Sequence, residues 1–136
     1  MEGQKFYKTT FIKFRSHPRI QEERVDIWLV ESPMFLTLRR RSDNRDLEHI
    51  AWDSIRDIAR GRVKKKGLSG FLASGGLGND FYVGALVRYS DDEYERELNV
   101  LFETGGENSA EKLVRLLWDK RDAYISMSGR RGDIRR

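Results

Sequence analysis

Residues 94–125 read YERELNVLFETGGENSAEKLVRLLWDKRDAYI, and the hydrophobic period changes partway along them. Over 94–103, Tyr94, Leu98, Val100 and Phe102 alternate with Glu95, Glu97, Asn99 and Glu103, the two-residue period of a half-buried strand. Past Thr104-Gly105-Gly106 the period lengthens to about 3.6. Ala110, Leu113, Val114, Leu117, Arg121, Tyr124 and Ile125 then fall along one side of a helix, and Leu116 and Trp118 widen the stripe. Asn108, with Glu111 three residues on, has the spacing of a capping box and is the expected N-cap. A strand running into one C-terminal amphipathic helix is the frame for the rest of the chain.

Working back from that frame, short alternating runs predict six more strands. Residues 5–14 (KFYKTTFIKF) place Phe6, Ile12 and Phe14 on one expected face, with Lys8 and Thr10 between them. Residues 25–31 (VDIWLVE) and 34–41 (MFLTLRRR) form an expected hairpin around Pro33, with Ile27, Leu29, Leu36 and Leu38 inward. Residues 47–52 and 55–64 read as strands four and five, Gly61 suggesting a bulge or bend in the latter. Residues 81–89 (FYVGALVRY) are strand six and 94–103 strand seven. The expected class is α+β, mainly β, with seven antiparallel strands and one C-terminal helix. A single domain over 1–127 is expected, followed by a basic, disordered tail over 128–136 (SGRRGDIRR).

Composition narrows the function classes. The chain has 136 residues, enough to bury a core without a disulfide or metal staple. It contains no cysteine, which excludes disulfides, thiolate catalysis and cysteine-held metal centres and suggests a reducing, cytoplasmic setting. No stretch has the length of a membrane span, and residues 1–13 lack the apolar core of a signal peptide. Net charge is +4, from 18 Arg and 8 Lys against 22 acidic residues, which permits an anionic partner without requiring one.

Catalytic signals are thin. Only His17 and His49 are available; His17 falls in a proline turn and is expected to be exposed. His49 follows Glu48, but neighbouring strand residues face opposite ways, so the two are no acid–base pair. Asp91 and Asp92 sit in a turn, where Asp is favoured for backbone reasons. The glycine-rich run over 67–80 (GLSGFLASGGLGND) lacks the Gly-Lys-Ser/Thr step of a phosphate loop and opens no helix. No enzyme activity, cofactor or metal is expected. Arg60, Arg62, Lys64, Lys65 and Lys66 precede the glycines, and Phe71 and Leu72 lie among them. Cations beside apolar side chains suit an anionic membrane surface or a protein groove.

Three segments carry a family resemblance: residues 28–38 (WLVESPMFLTL), residues 50–58 (IAWDSIRDI), and strand seven running into the helix. Together they resemble the pleckstrin-homology superfold, in particular the PH-like and GRAM-type domains of bacteria and archaea. The resemblance implies a sandwich or partly open barrel capped by the helix, and a non-enzymatic binding or adaptor role. It also implies an anion site between strands one and two, here Lys13, Arg15, Arg19 and Arg24. Lys13-Phe14-Arg15 matches only the end of the family's stricter lipid motif, which puts specific phosphoinositide recognition in doubt. Arg39, Arg40 and Arg41 could add charge, although a charged strand end is usually just solvated. The expected partner is a protein or an anionic phospholipid surface, placing the chain in the cytoplasm or at the inner face of the membrane. The alternative is nucleic acid bound through the Arg-rich surface; against it, Tyr82, Tyr89 and Tyr94 are spaced like core or hairpin residues.

Overall fold

The computed structural model describes residues 3–65 and 80–127. Seven strands follow in chain order: β1 (Gln4–Ile12), β2 (Arg24–Glu31), β3 (Phe35–Arg40), β4 (Asp46–Ala51), β5 (Ile55–Lys64), β6 (Phe81–Asp91) and β7 (Arg96–Glu103). A 3-10 turn (Trp52–Ser54) joins β4 to β5, and helix α1 spans Glu107–Met127. The strands form one antiparallel sheet in the order β4-β3-β2-β1-β7-β6-β5, which is not closed. β1 lies at its centre, paired with β2 on one side and β7 on the other. No helix among the described residues is long and apolar enough to cross a membrane. The expected tail over 128–136, together with Lys66, Phe71 and Leu72, lies outside the described residues.

Alternation sorts each strand into a core face and an outer face. Ile27, Leu29, Leu36, Leu38, Leu98 and Val100 are buried in one cluster, joined from the helix by Leu113 and Leu117 as the 3.6-residue period requires. The first strand departs from expectation. Its register with β2 shifts between Lys5 and Tyr7, so Thr9 and Phe11 face inward and Phe6 only flanks the core. Ile12 is buried on the opposite face, paired with Leu101 of β7. One residue of slip exchanges the faces of a whole strand.

Three turns also differ in detail. Glu95 adopts a left-handed φ of 52°, which keeps Tyr94 and Glu95 in the turn and starts β7 at Arg96. The helix begins one residue before the expected cap. The Ala110 amide bonds to the Gly106 carbonyl at 3.0 Å, so Gly106 holds the cap position and Asn108 lies in the first turn. Gly105 supplies the required turn with φ +88°. Trp52, expected in strand four, opens the 3-10 turn instead.

Gly61 marks no bulge: β5 runs through it in register, opposite Gly84, and its irregularity lies between Ile55 and Asp57. Close approach is the reason for these glycines. A Cβ on Gly84 would sit 1.9 Å from the Phe102 carbonyl oxygen, a backbone atom that the β6–β7 ladder holds in place. Gly84→Ala is therefore expected to destabilise by about 1–3 kcal/mol or more. Urea unfolding checks this: the midpoint should fall at constant slope, and an unchanged midpoint would contradict the packing.

Candidate anion-binding surface

The basic run of β5 is divided by the two-residue period. Arg60, Arg62 and Lys64 point to the side that also carries Ile58, where the helix begins. Arg60 and Arg62 lie 3.7 and 3.8 Å from the Glu107 carboxylate, and the Arg62 guanidinium stands 5.0 Å from the Phe81 ring. Lys65 falls on the outer side. Its Nζ stands 5.2 Å from the centre of the Tyr82 ring.

The loop between β1 and β2 reaches the same ring. Arg24 opens β2 on the outer face, and its guanidinium stands 5.5 Å from Tyr82, with Glu103 3.8 Å away. Tyr82 thus joins a cation of the first basic segment to one of the second. Arg24 is exposed and Lys65 half-buried. Lys13 turns its ammonium to the Gln21 carbonyl at 3.2 Å, and Arg15 is exposed beside Phe14. Arg39, Arg40 and Arg41 are all taken by carboxylates, those of Asp46 (2.6 Å), Asp43 (3.0 Å) with Glu22, and Asp26 (3.5 Å).

Arg19 has a different place from the one implied by the resemblance. Its Nε and Nη2 donate to the two oxygens of Glu48 at 2.8 and 2.9 Å, a bidentate pair. Nη2 also donates to Asp91 (2.8 Å) and Nη1 to Glu93 (2.9 Å). With three carboxylates around it, the guanidinium is part of a clasp and its charge is cancelled locally.

His17 belongs to the same clasp and is buried, against the expectation of exposure. Its Nδ1 accepts the Arg19 amide at 3.1 Å, which leaves the proton of the neutral ring on Nε2. Nε2 donates to the Tyr89 hydroxyl at 2.8 Å, and Tyr89 donates to Glu48 at 2.7 Å. Pro18 supplies the turn, but the pairing buries the histidine. Burial alone would raise the Glu48 carboxyl; hydrogen bonds from His17, Arg19 and Tyr89, and the Arg19 charge, outweigh it and hold the group at about 2. Burial first, then the Glu48 charge, pushes the Tyr89 phenol far above its ordinary value, so it remains a donor. Each polar group is satisfied by another, and the clasp ties the first loop to β4 and β6. His49 faces outward as expected, its Nδ1 2.9 Å from the Thr37 hydroxyl.

A second ring on the outer face has the same dressing as Tyr82. Trp28 lies in register between Lys8 of β1 and Arg39 of β3. The ammonium groups of Lys5 and Lys8 stand 5.0 and 5.5 Å from its centre. Sequence pattern did not mark Trp28 as a binding residue and placed Tyr82 among core or hairpin residues, whereas Tyr82 lies half-buried outside the core cluster, on the outer face of β6. Spacing gave no signal, since Lys5 and Lys8 are three apart and would face opposite ways in a regular strand; the register shift between Lys5 and Tyr7 brings both to Trp28. No family model, curated protein or solved structure matches this chain.

Proposed function

We propose that this chain is a non-enzymatic binding module of the PH-like kind that contacts an anionic surface through its basic loops. The observation that carries the reading is the convergence of Arg24 and Lys65 over Tyr82. It places charge from the start of β2, in the segment that the resemblance implies, beside charge from the end of β5, in the basic run of the sequence. The sheet order, with β1 central and a C-terminal helix laid on β5 and β6, supports the PH-like part of the reading. The clasp around Arg19, in which three carboxylates use up the guanidinium charge, acts as a scaffold that holds the loop beside this surface.

An acidic bilayer is the simplest anionic surface on which to test it. Each cation near such a surface contributes about 1 kcal/mol, and the attraction weakens as salt rises. The doubly reversed variant Arg24→Glu with Lys65→Glu should lose sedimentation with phosphatidylserine vesicles at low salt and keep the parent melting temperature. Equal binding by parent and variant to every acidic surface offered, vesicle or acidic protein, would rule the reading out.

A further inference from the structure

We infer that the anionic partner of this surface is a single strand of nucleic acid, lying across the outer face of the sheet and stacking bases on Trp28 and Tyr82. The inference rests on the reading above and names its ligand.

Seven cations stand on or beside this face: Lys5, Lys8, Arg24, Arg39, Arg41, Lys65 and Arg88, the last held by Glu97. Asp46 is held by Arg39, Asp26 lies by Arg41 and also accepts from Thr10, and Glu103 lies by Arg24. Among the described residues Lys5, Lys8 and Lys65 have no carboxylate within 4.0 Å; each instead stands over an aromatic ring. The surplus charge of the face is therefore concentrated at its two rings.

Shape then selects among polyanions. Shallow insertion into a bilayer needs apolar side chains that project. Trp28 and Tyr82 are half-buried on a pleated sheet and roofed by cations, so neither projects. A planar ring on a sheet face is instead a platform for a base, and the adjoining cations match the phosphates that a strand carries. Exposed cation–π pairs are weaker than base stacking. An incoming base takes the ring face, and the flexible lysine passes its ammonium to the neighbouring phosphate. Trp28 on β2 and Tyr82 on β6 are three strands apart, about 14 Å at ordinary interstrand spacing, so one strand crossing the sheet meets both. An open cleft of about 700 Å³ is lined by Lys5 and Arg39, both neighbours of Trp28, together with Gln4, Asn44 and Asp46. It offers donors and acceptors to base edges. Phe35 of β3 and His49 of β4 form a further aromatic pair, their rings 5.7 Å apart.

The test uses the full chain with fluorescein-labelled 12-nucleotide RNA, the same sequence as DNA, a duplex of it, and phosphatidylserine vesicles. Anisotropy should show both single strands binding, more weakly as salt rises, and the duplex binding less well. Trp28→Ala should weaken single-strand binding about 5- to 150-fold, the range for loss of one stacked base. Trp28→Phe, which keeps a stacking face, should restore most of it, and both variants should still unfold cooperatively, Trp28→Ala at a lower midpoint because a half-buried strand residue is truncated. Preference for RNA or DNA decides which strand is bound. Vesicle binding without oligonucleotide binding overturns this inference and leaves the anionic-surface reading standing, whereas binding to no polyanion removes both. Oligonucleotide binding unaffected by Trp28→Ala, or equal for duplex and single strand, means charge alone is at work and also overturns it.

Discussion

Replacing Glu48 with alanine is expected to destabilise the protein by about 3–5 kcal/mol, the cost of removing one partner from a buried, hydrogen-bonded charge pair. The carboxylate side chain is 3% exposed and receives hydrogen bonds from Arg19 and Tyr89, with His17 Nε2 3.4 Å away. Without it, the Tyr89 hydroxyl has no acceptor and Arg19 retains only Asp91 and Glu93. At roughly 4 °C per kcal/mol for a domain of this size, the melting temperature should fall by about 10–20 °C. The pH dependence identifies the cause. Glu48 titrates at about 2 when folded, against an ordinary value of 4.5. Its contribution is present above pH 4.5 and is lost as the pH falls toward 2, an amount of about 3 kcal/mol. The Tyr89 phenol is shifted the other way, so its contribution is complete below pH 10 and is lost as the pH rises above that value. Parent and Glu48→Ala should differ most between pH 5 and 9 and converge toward pH 2. A variant whose acid limb parallels the parent's would show that the clasp adds no stability.

Trp52→Ala should have an effect of similar size for a different reason. The side chain is fully buried and stacks on Tyr124 of the helix, with centroids 5.4 Å apart and planes 16° from parallel. Its Nε1 donates to the Ser32 carbonyl at 2.8 Å, fastening the β2–β3 hairpin to the turn between β4 and β5. Truncation leaves a large cavity where the helix meets both halves of the sheet and exposes that carbonyl's lost bond. About 3–5 kcal/mol is expected. Denaturant unfolding followed by helix circular dichroism checks it: the helix signal should melt with the sheet at a lower midpoint. An unchanged midpoint would mean that the helix is held by Leu113 and Leu117 alone. Trp118, which donates to the Ile58 carbonyl at 3.0 Å, anchors the middle of the helix and should keep α1 on β5 in the folded variant.

Much of this architecture was legible in local pattern. All seven expected strands and the helix are present, and β5 has the bounds its pattern implied. Residues Ile27, Leu29, Leu36, Leu38, Leu98, Val100, Leu113 and Leu117 face the core because alternation and the 3.6-residue period state which side chains share a face. β1 escaped this logic because Phe6, Tyr7, Phe11 and Ile12 offer apolar groups to both faces, and only the shift against β2 settles which pair turns inward. The candidate surface was half legible. Lys65 was named from the basic run and Arg24 from the family resemblance, but their meeting at Tyr82 follows from β1 lying between β2 and β7, with β6 beyond.

Local spacing in the chain was thus enough for the elements, their faces and most of the core, since those depend on neighbours three or four positions away at most. Tertiary structure alone decided the fate of each charge. Arg19 and Arg24 look alike in the first loop, yet one is enclosed by Glu48, Asp91 and Glu93 while the other stands over Tyr82 at the surface. His17 looks like an exposed turn residue until Tyr89 and Glu48 arrive from distant strands. The physical reason is that a charge is neutralised, buried or left available according to which groups the sheet order brings within a few ångströms, and sequence proximity does not record that order.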